Sequence, residues 1–401
     1  MPFDAHRAYQ HVQRLAFPRR TGSEGARQAA DYVAAEFARL GLAVEREPFT
    51  FSSLPQRAGK GGLLMLGLAL LGASLLIEPS PWGAVVLALG SLGLLPLLTR
   101  WNRGVEKLFS WGPQQPGENV LARWGPDGAA AEIVLLAHYD SKSQTFPLAL
   151  RVVQVQVTLL LMLAVVSLIL ASALRGPPVV APAWLKGGTL GVGGLLLLLA
   201  LGRTGNRSPG ALDNASGVAV LLELARSLTA SRVGGLKFTF LATDAEEEGL
   251  AGALRYIQRH AAEHDRWRTF FLNLDLVGDE GPLRIVSRYG LPPLSTGRRL
   301  TVALKEAAQE MGVPVREVYL PLGAGTDQIP LAAWGFEAVT LQHWRWFGPV
   351  LAVHSPQDTA DHVSPAALRE TGEVVWRMIE KSALTSGSSP SPRGKEEGGG
   401  N

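Results

Sequence analysis

Three short runs end in residues that can bind metal or move protons. IVLLA at 133–137 leads into His138-Tyr139-Asp140, FTFLAT at 238–243 into Asp244-Ala245-Glu246-Glu247-Glu248, and TFFLNL at 269–274 into Asp275. A fourth acid, Asp213, stands in GALDNASG ahead of a helical stretch, and His354 opens HSPQDTADH. Two imidazoles among several carboxylates make a mixed nitrogen–oxygen donor set. Such a set suits Zn²⁺ or a close relative, and a shared carboxylate can bridge two ions. Hydrolysis at such a centre needs an activated water and a base that is not itself a ligand.

Each fragment alone has a plainer reading. A strand-end Asp or His commonly satisfies nearby backbone groups. The acids at 246–248 would suit the first turn of any helix, and Asp213 ahead of Asn214-Ala215-Ser216 would serve as an N-cap. What sets the group apart is that the surrounding elements would bring it together. β-rich runs at 42–51, 119–124, 133–137, 237–242, 269–274, 283–287 and 338–341 alternate with helical stretches at 23–40, 215–229, 249–260, 296–311 and 365–384. The first helix has apolar residues at 26, 30, 33, 37 and 40 and a glycine stop at Gly41. This order predicts an α/β fold with a mixed, largely parallel sheet flanked by helices. Ligands in open α/β sheets bind beyond the carboxyl ends of the strands, so three strands would deliver His138, the acidic run and Asp275 to one edge.

The remaining sequence is of another kind. Only 18% of the 401 residues are charged, below the ~25% of soluble domains. The apolar excess lies in four charge-free segments, 61–77, 82–99, 157–174 and 187–202, each 16 to 18 residues long. That is close to the ~17-residue lower limit for crossing a bilayer. Leu, Gly, Ala and Val occupy all sides of these segments, whereas a core helix usually keeps a polar face. They come in pairs, so two transmembrane hairpins are expected, with interfacial or re-entrant helices as the rival reading. Trp82, Trp101 and Trp184 sit at segment ends, where interfacial anchors belong. The chain then divides into one discontinuous domain (1–60, 100–149 and 203–384), hairpins at 61–99 and 150–202, and a disordered Ser/Pro/Gly-rich tail at 385–401. The absence of cysteine excludes disulfides and thiolate metal sites. A net charge of +3 with no Lys/Arg run gives no support to a nucleic-acid partner.

With these residues in place, the sequence resembles the co-catalytic di-zinc aminopeptidases of peptidase family 28, whose clan also holds glutaminyl cyclases and glutamate carboxypeptidases. The resemblance runs from about Arg20 to Arg377, on AHYDS, GALDNASGVAVLLELAR, FLATDAEEEGLAGA, NLDLVG, GTDQIPLAAWGF and HSPQDTAD. It implies a zinc-exopeptidase-like fold, two Zn²⁺ per chain and an exopeptidase acting on peptides, most simply an aminopeptidase, which the apolar segments would make membrane-bound. Carried over by motif, His138 and Asp275 would bind one ion, Glu247 and His354 the other, and Asp213 would bridge them. Glu246 would be the general base, and Asp140 would orient the His138 imidazole. The Asp213–Asn214 peptide would be cis. The family's Ser-Asp-His near the substrate pocket stands here as Thr326-Asp327-Gln328, which makes Thr326 and Asp327 pocket residues of altered chemistry.

A glutaminyl cyclase-like acyl transferase is one alternative, since AHYDSKSQTFP resembles those enzymes while EEEGLAG resembles the peptidases. A carboxypeptidase or dipeptidase stays open, and a metal-free receptor or scaffold is disfavoured because every ligand position is filled. His260-Ala-Ala-Glu263-His264 fits the HxxEH pattern of inverted zinc peptidases, but its charged neighbours read as a solvated helix end. His6, His11, His343 and His362 lack partners at ligand spacing and read as surface or core residues. Both ends of each hairpin return to one side of the bilayer, which would hold the active-site edge toward the membrane. The flanks on that side carry nine Lys and Arg residues (57, 60, 100, 103, 107, 142, 151, 203 and 207), against Arg175 and Lys186 at the tips. The N-terminus has no apolar signal-peptide core. The positive-inside rule then predicts a multi-pass protein with four short spans and a cytoplasmic catalytic domain.

Overall fold

A computed structural model describes residues 3–99, 103–176, 183–231 and 235–381. From the N-terminus the elements are α1 (Ala5–Leu15), α2 (Glu24–Arg39), β1 (Val44–Ser52), α3 (Leu54–Leu76), α4 (Pro81–Thr99), α5 (Arg103–Leu108), β2 (Gln114–Trp124) and β3 (Ala131–His138). There follow β4 (Ser143–Gln144), α6 (Leu148–Leu174), α7 (Ala183–Leu201), β5 (Thr204–Gly205), α8 (Ser216–Thr229), β6 (Leu236–Thr243) and α9 (Ala251–His260). The last are β7 (Thr269–Leu274), β8 (Leu283–Tyr289), β9 (Leu294–Ser295), α10 (Arg298–Glu310), β10 (Val315–Tyr319), α11 (Gln328–Ala333), β11 (Glu337–His343) and α12 (Pro365–Glu380). α1 lies outside the stretches read as helical from sequence. It nevertheless starts at a cap the sequence carries, the Asp4 carboxylate accepting from the His6 and Arg7 N–H groups.

The main sheet runs β1-β2-β6-β3-β7-β11-β8-β10, with β9 paired to β8. Its centre is parallel: β6, β3, β7 and β11 point the same way, and antiparallel pairings (β1 with β2, β2 with β6, β8 with β11) lie to either side. Parallel strands need both faces covered, and side-chain alternation supplies the covering surfaces. Ile133, Leu135 and Ala137 of β3 join Phe240 and Leu272 under α1, α2, α8 and α12. Val134 and Leu136 join Leu241 and Phe271 on the opposite face, packed by Tyr256 and Leu331. The fold is therefore a three-layer α/β domain whose central strands end together. His138 lies opposite Thr243 in the β3–β6 pairing, and Leu136 opposite Asn273 in the β3–β7 pairing.

The four apolar helices α3, α4, α6 and α7 pack on one another as a bundle with its own core, including Leu66, Leu70, Val85, Met162, Val166 and Leu196. Its outer surface is apolar too: Met65, Leu68, Leu75, Val86, Leu160 and Leu201 are each more than half exposed. α3, α6 and α7 are long and apolar enough to cross a membrane, while the apolar run Pro81–Leu95 of α4 is shorter. α3 and α6 begin before the charge-free segments, with polar first turns that hold Gln56, Arg57 and Lys60, and Arg151, Gln154 and Gln156. Trp82 and Trp184 are exposed at helix starts, whereas Trp101 and the tail from 385 lie outside the described residues. Lys186 pairs with Glu78 at 2.8 Å, so the two hairpin tips touch.

α3 and α7 cross on glycine. A Cβ at Gly193 would lie 3.0 Å from the Leu71 side chain and 3.2 Å from the Gly67 carbonyl oxygen, whereas one at Gly191 would meet open space. Small residues permit this backbone approach. Gly193→Leu is expected to destabilise the bundle by about 1–3 kcal/mol, the usual cost of overpacking, and Gly191→Leu by much less. Thermal unfolding of the two purified variants side by side checks this.

Candidate metal centre

β3, β6 and β7 end at the same sheet edge, and the chain leaves each one through a constrained turn. Among the described residues, the non-glycine positions with positive φ are Ala245, Leu250, Leu276 and His354. All four lie beside or within the acidic and histidine cluster. Such conformations persist only where the surroundings enforce them, and they concentrate at functional sites. The Asp213–Asn214 peptide is cis.

His138, Asp213, Glu247, Asp275 and His354 meet at this edge, all buried. They form two groups, His138–Asp213–Asp275 and Asp213–Glu247–His354, with Asp213 common to both. His138 Nε2 is 3.1 Å from Asp213 Oδ1 and 3.8 Å from Asp275 Oδ1. His354 Nε2 is 3.1 Å from Asp213 Oδ2 and 2.9 Å from Glu247 Oε1. The remaining ring nitrogens face acceptors. His138 Nδ1 donates to the Asp140 carbonyl oxygen at 3.1 Å, and His354 Nδ1 to Gln144 Oε1 at 2.9 Å.

This arrangement fits metal. With each Nδ1 holding its proton against an acceptor, each Nε2 faces carboxylate oxygens, and against the opposing effect of burial these anions raise both histidines above the usual imidazole range. Among the described residues, neither buried Nε2, nor Glu247 Oε1, has a hydrogen-bond partner. Anions gathered around two ring nitrogens in a dry site need positive charge among them, which protons or metal ions can supply. Zinc–ligand bonds of ~2.0–2.2 Å at tetrahedral angles set neighbouring donors roughly 3–3.6 Å apart, and the four distances here, 2.9 to 3.8 Å, bracket that range.

Asp140 acts on the backbone as much as on the ring. Its carboxylate accepts from the Glu246 and Glu247 N–H groups at 3.2 and 3.1 Å. Its Oδ1 stands 3.4 Å from His138 Nδ1, farther than its own carbonyl oxygen. Lys142 Nζ pairs with Glu247 Oε2 at 2.6 Å. Glu246 is buried and has no such ion pair among the described residues. Burial, reinforced by Glu247, Asp327 and Asp275, holds its carboxyl well above the usual carboxylate range.

Several supporting residues have no signal in the local sequence. Arg19 is fully buried and donates to five carbonyl oxygens, those of Leu15, Phe17, Tyr139, Pro209 and Gly210. Burial lowers its guanidinium to about 10, so it stays charged at neutral pH. Asp358 accepts from the Leu212 and Asp213 N–H groups at 2.7 and 3.2 Å. Asn214 donates to the Leu274 carbonyl and accepts from the Leu276 N–H, tying the Asp213 turn to the end of β7.

A cavity of about 430 Å³ opens onto the cluster, lined by Asp213, Glu246, Glu247, Asp275 and His354 and by apolar Leu250, Leu276, Leu320 and Ile329. Its wall includes Gly325 and Ile329 but neither Thr326 nor Asp327. Both of those are buried behind it, with Asp327 accepting from the Thr243 hydroxyl at 2.5 Å. Burial raises the Asp327 carboxyl to about 7. The HxxEH residues lie elsewhere and face apart. His260 contacts Glu47 and Glu263, at 2.6 and 2.9 Å, and His264 pairs with Glu132 at 2.9 Å. His260 is buried against β1 rather than solvated. His11 and His343 are buried, bonding Tyr32 and the Gly281 carbonyl.

Residues 178–379, half of the chain, match the model of peptidase family M28. That stretch contains Asp213, Glu246, Glu247, Asp275 and His354. Aminopeptidase YwaD of Bacillus subtilis (strain 168) is 29% identical over 178 residues, 43% of this chain. The match spans 37% of that relative's length. The fold is similar to that of BSAP, a zinc aminopeptidase from Bacillus subtilis (TM-score 0.56, 16% identity, 95% of this chain and 96% of that one). It is also similar to Porphyromonas gingivalis glutaminyl cyclase (TM-score 0.54, 18% identity, 95% and 99%).

Asp140→Asn would set an amide NH₂ against one of the two N–H groups the carboxylate now accepts. Turning the 246–247 backbone in this way is expected to weaken metal affinity about 10–100-fold, the usual cost of losing an outer-shell partner. Competition against a chelator of known affinity measures it.

Proposed function

The chain belongs to peptidase family M28 and is a metallopeptidase; on that premise we propose that it is a membrane-bound, di-zinc aminopeptidase removing N-terminal residues from peptides. The observation that carries this reading is Asp213, shared by two buried donor groups beside a cavity that Glu246 also lines. His138 and Asp275 would hold one zinc ion, Glu247 and His354 the other, with Asp213 between them. The ions supply Lewis acidity and lower the pKa of water. Glu246 takes a proton from the attacking water and returns it to the departing amine as the C–N bond breaks. Lys142 holds Glu247 in place, and Asp140 fixes the turn that separates base from ligand. The apolar wall of Leu250, Leu276, Leu320 and Ile329 suits an apolar N-terminal side chain.

Glu246→Gln keeps size and hydrogen bonding but removes the proton acceptor. Turnover is expected to fall roughly 10²–10⁴-fold, the range for losing a general base, with zinc retained at about two ions per chain. Glu247→Gln is expected to lose zinc. Metal analysis paired with assays on free, N-blocked and N-terminal-glutamine peptides tests the reading. Release of free amino acids supports it. Cyclisation of glutamine would establish an acyl transferase instead, and equal zinc loss in both variants would overturn the assignment of 246 as base and 247 as ligand.

We place both hairpins in the bilayer as four spans, with α4 the fourth and the catalytic domain cytoplasmic. The apolar outer surface of the bundle supports insertion, and the basic flanks at 57, 60, 142, 151, 203 and 207 support the orientation. Exposed Trp346, Phe347 and Leu351 lie in a loop packed on the start of α6 and suit the same interface. A reporter fused after residue 381 should behave as cytoplasmic, and one inserted at 79–80 as external. The reverse pattern would put the active site outside.

A further inference from the structure

A second cavity, about 570 Å³, lies where the bundle meets the catalytic domain. All four apolar helices contribute to its walls, through Leu63, Leu95, Val155, Leu159, Leu196 and Leu199. It adjoins the cavity at the metal edge: Gln56, Lys142, Arg151, Glu247 and Gly323 line both. A ligand seated at the donor cluster can therefore extend past Lys142 and Arg151 into the space among the helices.

The charge on its walls is one-sided. Five basic residues line it, Arg20, Arg57, Lys60, Lys142 and Arg151, against two acids, Glu247 and Glu248. Both acids are already paired, Glu247 with Lys142 at 2.6 Å and Glu248 with Arg20 at 2.7 Å. That leaves Arg57, Lys60 and Arg151, none with an acidic partner among the described residues. Lys60 donates to the Gly202 carbonyl and Arg151 to the Gly323 carbonyl, and the buried Arg151 Nε has no acceptor. Arg57 and Lys60, without an acid among the described residues, and Arg151, which also faces Glu247, Glu246 and Asp213 across the metal-edge cavity, stand beside an aliphatic chamber and are complementary to an amphiphile: an anionic head for the cations and an alkyl tail for the leucines.

We propose that this cavity is the subsite for the departing portion of the substrate, and that this portion is an anionic amphiphile with an aliphatic chain of acyl-chain length. This rests on the aminopeptidase reading of the adjoining site. The cleaved residue occupies the metal-edge cavity, the scissile amide lies at Glu246, and the remainder passes between Lys142 and Arg151. Its carboxylate meets Arg57, Lys60 and Arg151, and its alkyl chain lies among Leu63, Leu159 and Leu199. Hydrolysis adds water across the amide, OH to the acyl carbon and H to the nitrogen, and releases an amino acid and an amphiphilic amine.

The test uses the full chain in phosphatidylcholine nanodiscs and two dipeptides, leucyl-glycine and leucyl-2-aminotetradecanoate, which differ only in a twelve-carbon chain. The kcat/KM for the alkyl substrate is expected to exceed that for leucyl-glycine at least ~30-fold. Leu199→Trp or Leu159→Trp, each filling the chamber, should bring the ratio near one. Arg57→Gln with Lys60→Gln should lower the alkyl carboxylate's kcat/KM ~10-fold and leave its carboxamide analogue unaffected. A ratio near one in the parent protein overturns the subsite. Hydrolysis of neither dipeptide would count against the aminopeptidase reading, and the subsite is then decided by binding alone. A diazirine-bearing myristate should crosslink to Leu63, Leu159 or Leu199 and lose that labelling in Leu199→Trp. Labelling spread evenly over outward Leu75 and Leu160 overturns it.

Discussion

Asp213 presents one carboxylate oxygen to each of two imidazoles, at 3.1 Å on both sides, and this double obligation sets the geometry around it. A side chain that must serve two centres has no freedom to swing toward either, so its backbone has to be immobilised. Asp358 grips the two N–H groups at 212 and 213. Asn214 ties the same turn to Leu274 and Leu276, the residues that flank Asp275. Arg19 holds the preceding segment by Pro209 and Gly210 and the β3 exit by Tyr139. The donors on β3, the 213 turn and β7 are thus cross-tied and move as one unit. The cost is electrostatic and falls on Asp275, whose carboxyl is raised to about 6 by burial and by the Asp213 charge beside it. A cation in the cluster would remove that penalty.

Three of the five donors were legible because they follow uninterrupted strand runs, whereas Asp213 and His354 were legible only by motif. His138 and Asp275 each come directly after a buried β stretch, and Glu246 and Glu247 follow β6 by a short turn. The parallel sheet centre converts that shared position in sequence into a shared position in space. Helix α2 announced itself by its apolar spacing and its Gly41 stop, α8, α9, α10 and α12 fall in the stretches read as helical, and α1 could have been found from its Asp4 cap. The tie residues carry no such mark. Arg19 reads as one of many basic residues, and its five carbonyl partners come from three separate stretches of chain. Gln144 looks like loop until His354, 210 residues away, turns out to need its oxygen. Contacts of that sequence separation are created by the fold, and no local pattern encodes them.

The apolar segments were legible as hydropathy but not in their full extent. Leaving out charged residues and the glutamines of α6 gives segments near the lower limit for a span, because the first then begins only after Lys60 and the third only after Gln156. The helices themselves continue as polar stalks, α3 from Leu54 and α6 from Leu148. Backbone hydrogen bonding runs through both environments, so helix length and apolar length need not agree. The stalks are where Arg57, Lys60 and Arg151 sit, and they bring cationic side chains to the edge of the apolar bundle.

The second hairpin interrupts the chain between His138 and Asp213, and the structure contains the reason this is tolerable. Ser143 pairs with Gly205 and Gln144 with Thr204, so the two ends of the insertion are joined in a short antiparallel ribbon before the helices begin. Once closed in this way, an insertion of any length adds little further entropic cost to the host domain. The same ribbon is not a passive seam. Gln144, one of its residues, fixes the His354 ring, and Lys142, just outside it, fixes Glu247. The base of α6 also packs against the turn that precedes His354. Any tilt of α6 and α7 relative to the sheet must therefore act first on His354 and Glu247, and only afterwards on His138 and Asp275, whose ties run through the sheet.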